Sequence, residues 1–97
     1  MSRRNVTMPT NSEIEFELSG TYDAFTSTVV NDSNGKVEFA VIGDGKHLWT
    51  SGALMKADGS RSVKVDVSNV RRLMLRVTRV DEGGRIFADW VDARLTR

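Results

Sequence analysis

Two carboxylates and an indole fall within four residues near the end of the chain, in Ile86-Phe87-Ala88-Asp89-Trp90-Val91-Asp92-Ala93-Arg94-Leu95. On a regular strand Phe87, Asp89, Val91, Ala93 and Leu95 share one side, while Ile86, Ala88, Trp90, Asp92 and Arg94 share the other. Both sides are apolar at one end and both hold an acid. That pattern suits a central strand covered on both faces, with Asp89 aimed at something it must bond or bind. The same parity separates Asp89 from Asp92, so they make neither a catalytic carboxylate pair nor a shared ion site. Trp90 and the other tryptophan, Trp49, have flat apolar faces that could stack on a sugar ring, although core packing is the ordinary role of a strand tryptophan.

Three other stretches invite chemistry. Asp32-Ser33-Asn34-Gly35 has oxygen-bearing side chains at alternate positions, as calcium loops do, which makes Asp32 and Asn34 the candidate metal ligands. The acidic ligands that should follow are missing, and a turn is the plainer reading. Gly43-Asp44-Gly45-Lys46 is too short to cradle a phosphate and precedes a strand instead of a helix, so it reads as a hairpin turn. His47 is the only histidine, and no serine or cysteine stands at a spacing that implies a triad.

The elements that would position these residues are strands. Ile14, Phe16 and Leu18 alternate with Glu13, Glu15 and Glu17, the cleanest two-residue period in the chain. Further strands are expected over 24–30, 36–42, 47–53, 63–67, 72–80 and 86–95, separated by turn-forming stretches such as Asn31 to Gly35 and Asp81-Glu82-Gly83-Gly84. Residues 1–11 lack a period and are expected to form an irregular lead-in, leaving 12–97 as the domain. About seven short strands at nearly regular spacing predict an all-β antiparallel sandwich or barrel.

The 97-residue length allows one domain, and 39% hydrophobic content allows a core without a large enclosed cavity. Cysteine is absent, which removes disulfide and thiol chemistry. The first eight residues carry two arginines without an apolar run and do not read as a signal peptide. Extracellular placement would then require a longer secreted parent chain, and a stand-alone chain would be cytoplasmic. No stretch is long enough to span a membrane as an apolar helix. The net charge of +1 gives no global field for nucleic acid or an anionic membrane. Within that total, residues 1–60 hold five Lys/Arg against eight Asp/Glu, and residues 61–97 hold nine against five. This asymmetry predicts cross-strand pairing of Glu13, Glu15 and Glu17 with Arg72 and Arg76.

Several blocks occur in an order that resembles the NPCBM family of carbohydrate-binding modules. They include Ser12-Glu13-Ile14, Asp32-Ser33-Asn34-Gly35-Lys36-Val37, Gly43-Asp44-Gly45-Lys46 followed by Leu48-Trp49-Thr50-Ser51-Gly52, and the closing Ala88-Asp89-Trp90-Val91-Asp92-Ala93-Arg94-Leu95. The resemblance covers about residues 12–95. It implies a β-sandwich of jelly-roll type, binding of terminal and in some members galactose-like sugars, often a structural calcium, no catalysis, and a bacterial setting beside glycoside hydrolases.

Two departures stand out. Family members usually start with further strands upstream, and the histidine that often precedes Ala-Asp-Trp is Phe87 here. Strands missing from a sandwich would leave an open sheet edge, which predicts a homodimer formed by strand pairing or swapping. The leading expectation is therefore a non-catalytic sugar-binding module with His47, Trp49, Asp89 and Trp90 as candidate contacts. The alternative is an assembly module that uses the exposed edge.

Overall fold

A computed structural model describes residues 4–97. It contains eight strands: β1 (Arg4–Pro9), β2 (Ser12–Glu17), β3 (Ala24–Val30), β4 (Lys36–Gly43), β5 (Lys46–Met55), β6 (Arg61–Asp66), β7 (Arg72–Arg79) and β8 (Phe87–Thr96). One antiparallel sheet has the order β1-β8-β3-β6, the other β2-β7-β4-β5, and they pack as a sandwich. The expected strands are present. The lead-in is not irregular: Arg4–Pro9 pairs with β8, with Met8 buried beside Ala88. Its apolar positions, Val6 and Met8, alternate with Asn5 and Thr7, a two-residue period too short to stand out in a polar segment. Residues 1–3 of that expected lead-in lie outside the described residues.

Alternation places the core. Val37, Phe39 and Val41 of β4 and Leu73, Leu75 and Val77 of β7 face Phe25, Val29, Val63, Ala88 and Trp90 of the other sheet, all buried. Trp90 stands at the centre, edge-on to Phe39 with ring centroids 5.3 Å apart and to Phe25 at 6.1 Å. On the outside of the second sheet the predicted charge ladder forms. Glu13 binds Arg76 at 2.6 Å and Glu15 lies 4.0 Å from Arg72. These are exposed pairs, which set register more than they stabilise.

β8 is central, between β1 and β3, but only its inner face is covered. The strict alternation expected for it breaks at Val91-Asp92. Trp90 is buried, and so are Ala93 and Leu95, so the inward phase slips by one residue. The pairing registers with both β1 and β3 shift at the same place, and Asp92 has a φ of 56°. This is a β-bulge. Its freed backbone groups find side chains: the Ser27 hydroxyl donates to the Val91 carbonyl at 2.9 Å, and the Asp92 N–H donates to Asn5 Oδ1 at 2.8 Å.

Candidate functional site

Of the seven aromatic side chains, Phe87 alone is exposed, at 51%. It opens β8 on the outer face of the first sheet, paired with Pro9. Two residues on, Asp89 occupies the same face between Thr7 of β1 and Val30 of β3, roughly 7 Å along the strand. Its carboxylate accepts the Thr7 hydroxyl at 2.6 Å, the one hydrogen bond to its side chain among the described residues. An apolar ring, a carboxylate and a hydroxyl therefore share one accessible patch. The ring can pack against the C–H face of a sugar, and the polar pair can take its hydroxyl groups.

The loops at this end of the sandwich frame the patch. The turn between β3 and β4 is organised by Asn31, which is 2% exposed. Its amide donates to the carbonyls of Gly35 and Leu54, each at 3.0 Å, and its oxygen accepts the Ser33 N–H at 3.1 Å. So held, Ser33 donates its hydroxyl to the Phe87 carbonyl at 2.9 Å. Thr10 fixes the approach to β8 from the other side: its N–H donates to the Ile86 carbonyl, and its hydroxyl accepts the Ile86 N–H at 3.2 Å. A groove of about 590 Å³, lined by Ser33, Asn34, Gly35, Met55, Lys56 and Ala57, opens beside the same turn.

The residues singled out from the sequence do not all meet here. Asp89 belongs to the patch. Trp90 does not: it is fully buried, because the inward phase of β8 carries it into the core, and the expectation of a sugar-contacting Trp90 is corrected. His47 and Trp49 lie in the other sheet and at its far end, on the turn side of β5. A bulge at Leu48 separates them further. Trp49 pairs with Val41 and is half-buried against the core, whereas His47 pairs with Ile42 on the outer face. They are not parts of one site with Asp89.

Asp32 and Asn34 are exposed on the Asn31-organised turn, near Phe87 through Ser33. A calcium ion takes six to eight oxygen ligands, and these two side chains supply only part of such a set. Among the described residues no three His, Cys, Asp or Glu side chains converge, and the carbonyls of Gly35 and Leu54 already accept the Asn31 amide. Asp44, in the glycine-flanked turn, is equally committed to structure. Its carboxylate accepts the backbone N–H groups of Arg71 and Arg72, which hold it below its ordinary pKa.

Phe87 and Asn31 are the residues of this candidate patch and its supporting turn that the sequence reveals least. Phe87 had one signal, an aromatic replacing the histidine usual at that position of the resembled family.

Comparison with known proteins bears on the family and the fold. The model of the NPCBM/NEW2 domain matches residues 3–96. The alpha-1,3-galactosidase B of Akkermansia muciniphila is 36% identical over 63 residues, which is 63% of this chain and 8% of that protein. Among solved structures, ZmpB of Clostridium perfringens, comprising an M60 catalytic domain with two CBM51 domains, aligns over 96% of this chain and 11% of its own, with a TM-score of 0.86 and 30% identity. A CBM51 module from a Clostridium perfringens GH95 protein, solved in complex with methyl-galactose, aligns over 96% of this chain and 70% of its own, with a TM-score of 0.85 and 26% identity. The chain thus spans a small part of the galactosidase and of ZmpB.

Proposed function

The chain belongs to the NPCBM/NEW2 domain family, and from that membership we propose that it is a non-catalytic carbohydrate-binding module that holds a terminal, galactose-like sugar against Phe87, with Asp89 and Thr7 taking its hydroxyl groups. The observation that carries the reading is the pairing of the one exposed aromatic with a carboxylate on the same face of the first sheet. The methyl-galactose complex of the Clostridium perfringens CBM51 module and the galactosidase that carries a matching segment support the choice of sugar. Titration calorimetry with methyl galactoside and a glycan array test it. Binding that disappears in Phe87→Ala with the fold intact supports the reading, and a wild-type protein that binds no glycan removes it.

The alternative is a homodimer through a sheet edge. The two edge strands of the second sheet carry features that discourage such pairing: β5 has two bulges, and β2 presents Glu13, Glu15 and Glu17 outward. Sedimentation at micromolar concentration separates the readings, since the assembly module must be a dimer and the sugar-binding module need not be.

A further inference from the structure

Arg79 ends β7 at an inward-facing position, paired with Val37, where a core residue would be expected. Its side chain is 13% exposed. The guanidinium turns along the end of the sandwich, and every feature around it is shaped to receive it. Nε donates to Asp81 Oδ1 at 2.8 Å, and a terminal nitrogen donates to the Gly84 carbonyl at 2.6 Å. Gly83 lies over its plane: a Cβ there would stand 2.5 Å from the central carbon and from both terminal nitrogens alike. Gly35 lies against it too, where a Cβ would be 2.9 Å from a terminal nitrogen. Both glycines have positive φ, 144° and 140°.

Those contacts join two loops. Gly83 and Gly84 belong to the loop that leads into Phe87, and Gly35 closes the turn that carries Ser33. Asp81 adds a second tie, because the oxygen that takes Arg79 also accepts the Lys36 N–H at 3.1 Å. The two loops meet again where Ser33 donates to the Phe87 carbonyl. Arg79 touches neither the Phe87 patch nor its solvent face by any of these bonds.

We propose that Arg79 is the positioning residue of the sugar site: one guanidinium, clamped between the two loops, fixes the Ser33 turn and the entry to β8 so that Phe87 is presented in one place. This rests on the reading of Phe87 as the sugar platform, but the clamp itself can be tested without sugar. A planar guanidinium with several N–H groups does what an ammonium cannot, since lysine can neither lie flat over Gly83 nor reach Asp81 and Gly84 together.

The experiment compares wild type, Arg79→Lys, Arg79→Ala and the milder Asp81→Asn by hydrogen exchange and by methyl galactoside titration, at a temperature where each is folded. Exchange should rise in residues 31–36 and 81–87 together, in both Arg79 variants, while Val29 and Trp90 stay protected. Affinity should fall about tenfold, the scale of one lost charged hydrogen bond. Asp81→Asn should loosen the same two segments less. Recovery of both properties by lysine would overturn the proposal, since charge alone would then suffice. So would loosening of residues 81–87 with 31–36 unchanged. Were wild type to bind no sugar, the functional reading would fail, while the exchange pattern would still decide whether one side chain joins the two loops.

Discussion

The carboxylate of Asp44 accepts the backbone N–H of Arg72 at 2.9 Å, while the Asp44 N–H donates to the Arg72 carbonyl at the same distance. One residue in the β4–β5 turn thereby closes the start of β7, 28 positions away in sequence. The motif that superficially suggested phosphate chemistry is a structural clasp. Asp44 has a φ of 50°, which aspartate tolerates better than most side chains.

The clasp makes stability depend on pH. The Arg72 and Arg71 N–H groups lower the pKa of Asp44, the Ser68 hydroxyl and N–H lower that of Asp66, and Arg79 and the Lys36 N–H lower that of Asp81. A carboxylate depressed in the folded state stabilises fully above its unfolded pKa and loses that contribution as pH falls through the folded one. The melting temperature should therefore be flat near neutrality and drop below about pH 4. In Asp44→Asn the drop should be shallower and the neutral-pH value lower. Thermal melts from pH 7 to pH 2.5 check both, and an unchanged acid limb in Asp44→Asn would dismiss the clasp.

Phe87→Ala should cost at least about tenfold in affinity for methyl galactoside, roughly 1.4 kcal/mol, and little stability because half of the ring is already in water. Asp89→Asn keeps an oxygen that can accept from Thr7 but removes the charge, so it should weaken binding less than Phe87→Ala does. Calorimetry beside a melt of each variant separates the two effects. Equal affinity in all three proteins would move the site elsewhere.

Trp90→Ala should destabilise by about 3–5 kcal/mol, the range for a buried aromatic truncated to a methyl group. His47→Ala, exposed at the far end of β5, should change neither stability nor sugar affinity. Denaturant titration measures the first and glycan titration the second. A large loss of affinity in the His47 variant would shift attention to the opposite end of the sandwich.

Asn31→Ala leaves the carbonyls of Gly35 and Leu54 without their shared donor, and should cost about 1–3 kcal/mol as buried acceptors lose a partner. The effect should be felt by Phe87 through Ser33, so affinity should fall along with stability. A variant as stable as wild type would show that the turn holds without its amide.

Strand positions were legible wherever one face was wet and the other dry. Glu13 to Leu18 announced β2 and its pairing with the arginines of β7, because alternation encodes both faces at once. β1 was hidden, since Val6 and Met8 give too few apolar positions to reveal a period. The faces of β8 were misjudged for a different reason. A bulge inserts one residue without leaving a composition signal, and the hydroxyl that satisfies its freed Val91 carbonyl, that of Ser27, lies 64 positions away. The same kind of distance concealed the site. Asp89 could be singled out by type, but Ser33 meets the Phe87 carbonyl only across 54 positions, and the glycines that make room for Arg79, Gly35 and Gly83, come from two different loops.

The indole of Trp90 is fully buried among apolar side chains, with Phe25 and Phe39 packed against it, and its N–H has no hydrogen-bond partner among the described residues. Such a chromophore should emit at short wavelength, and its light should redden strongly when the chain unfolds. Trp49, half in water at the edge of the second sheet, should emit at longer wavelength and redden less. With either indole replaced by phenylalanine, fluorescence would report the centre of the sandwich and its rim as separate signals. Coincident melting curves from the two would show that both sheets come apart in a single cooperative step.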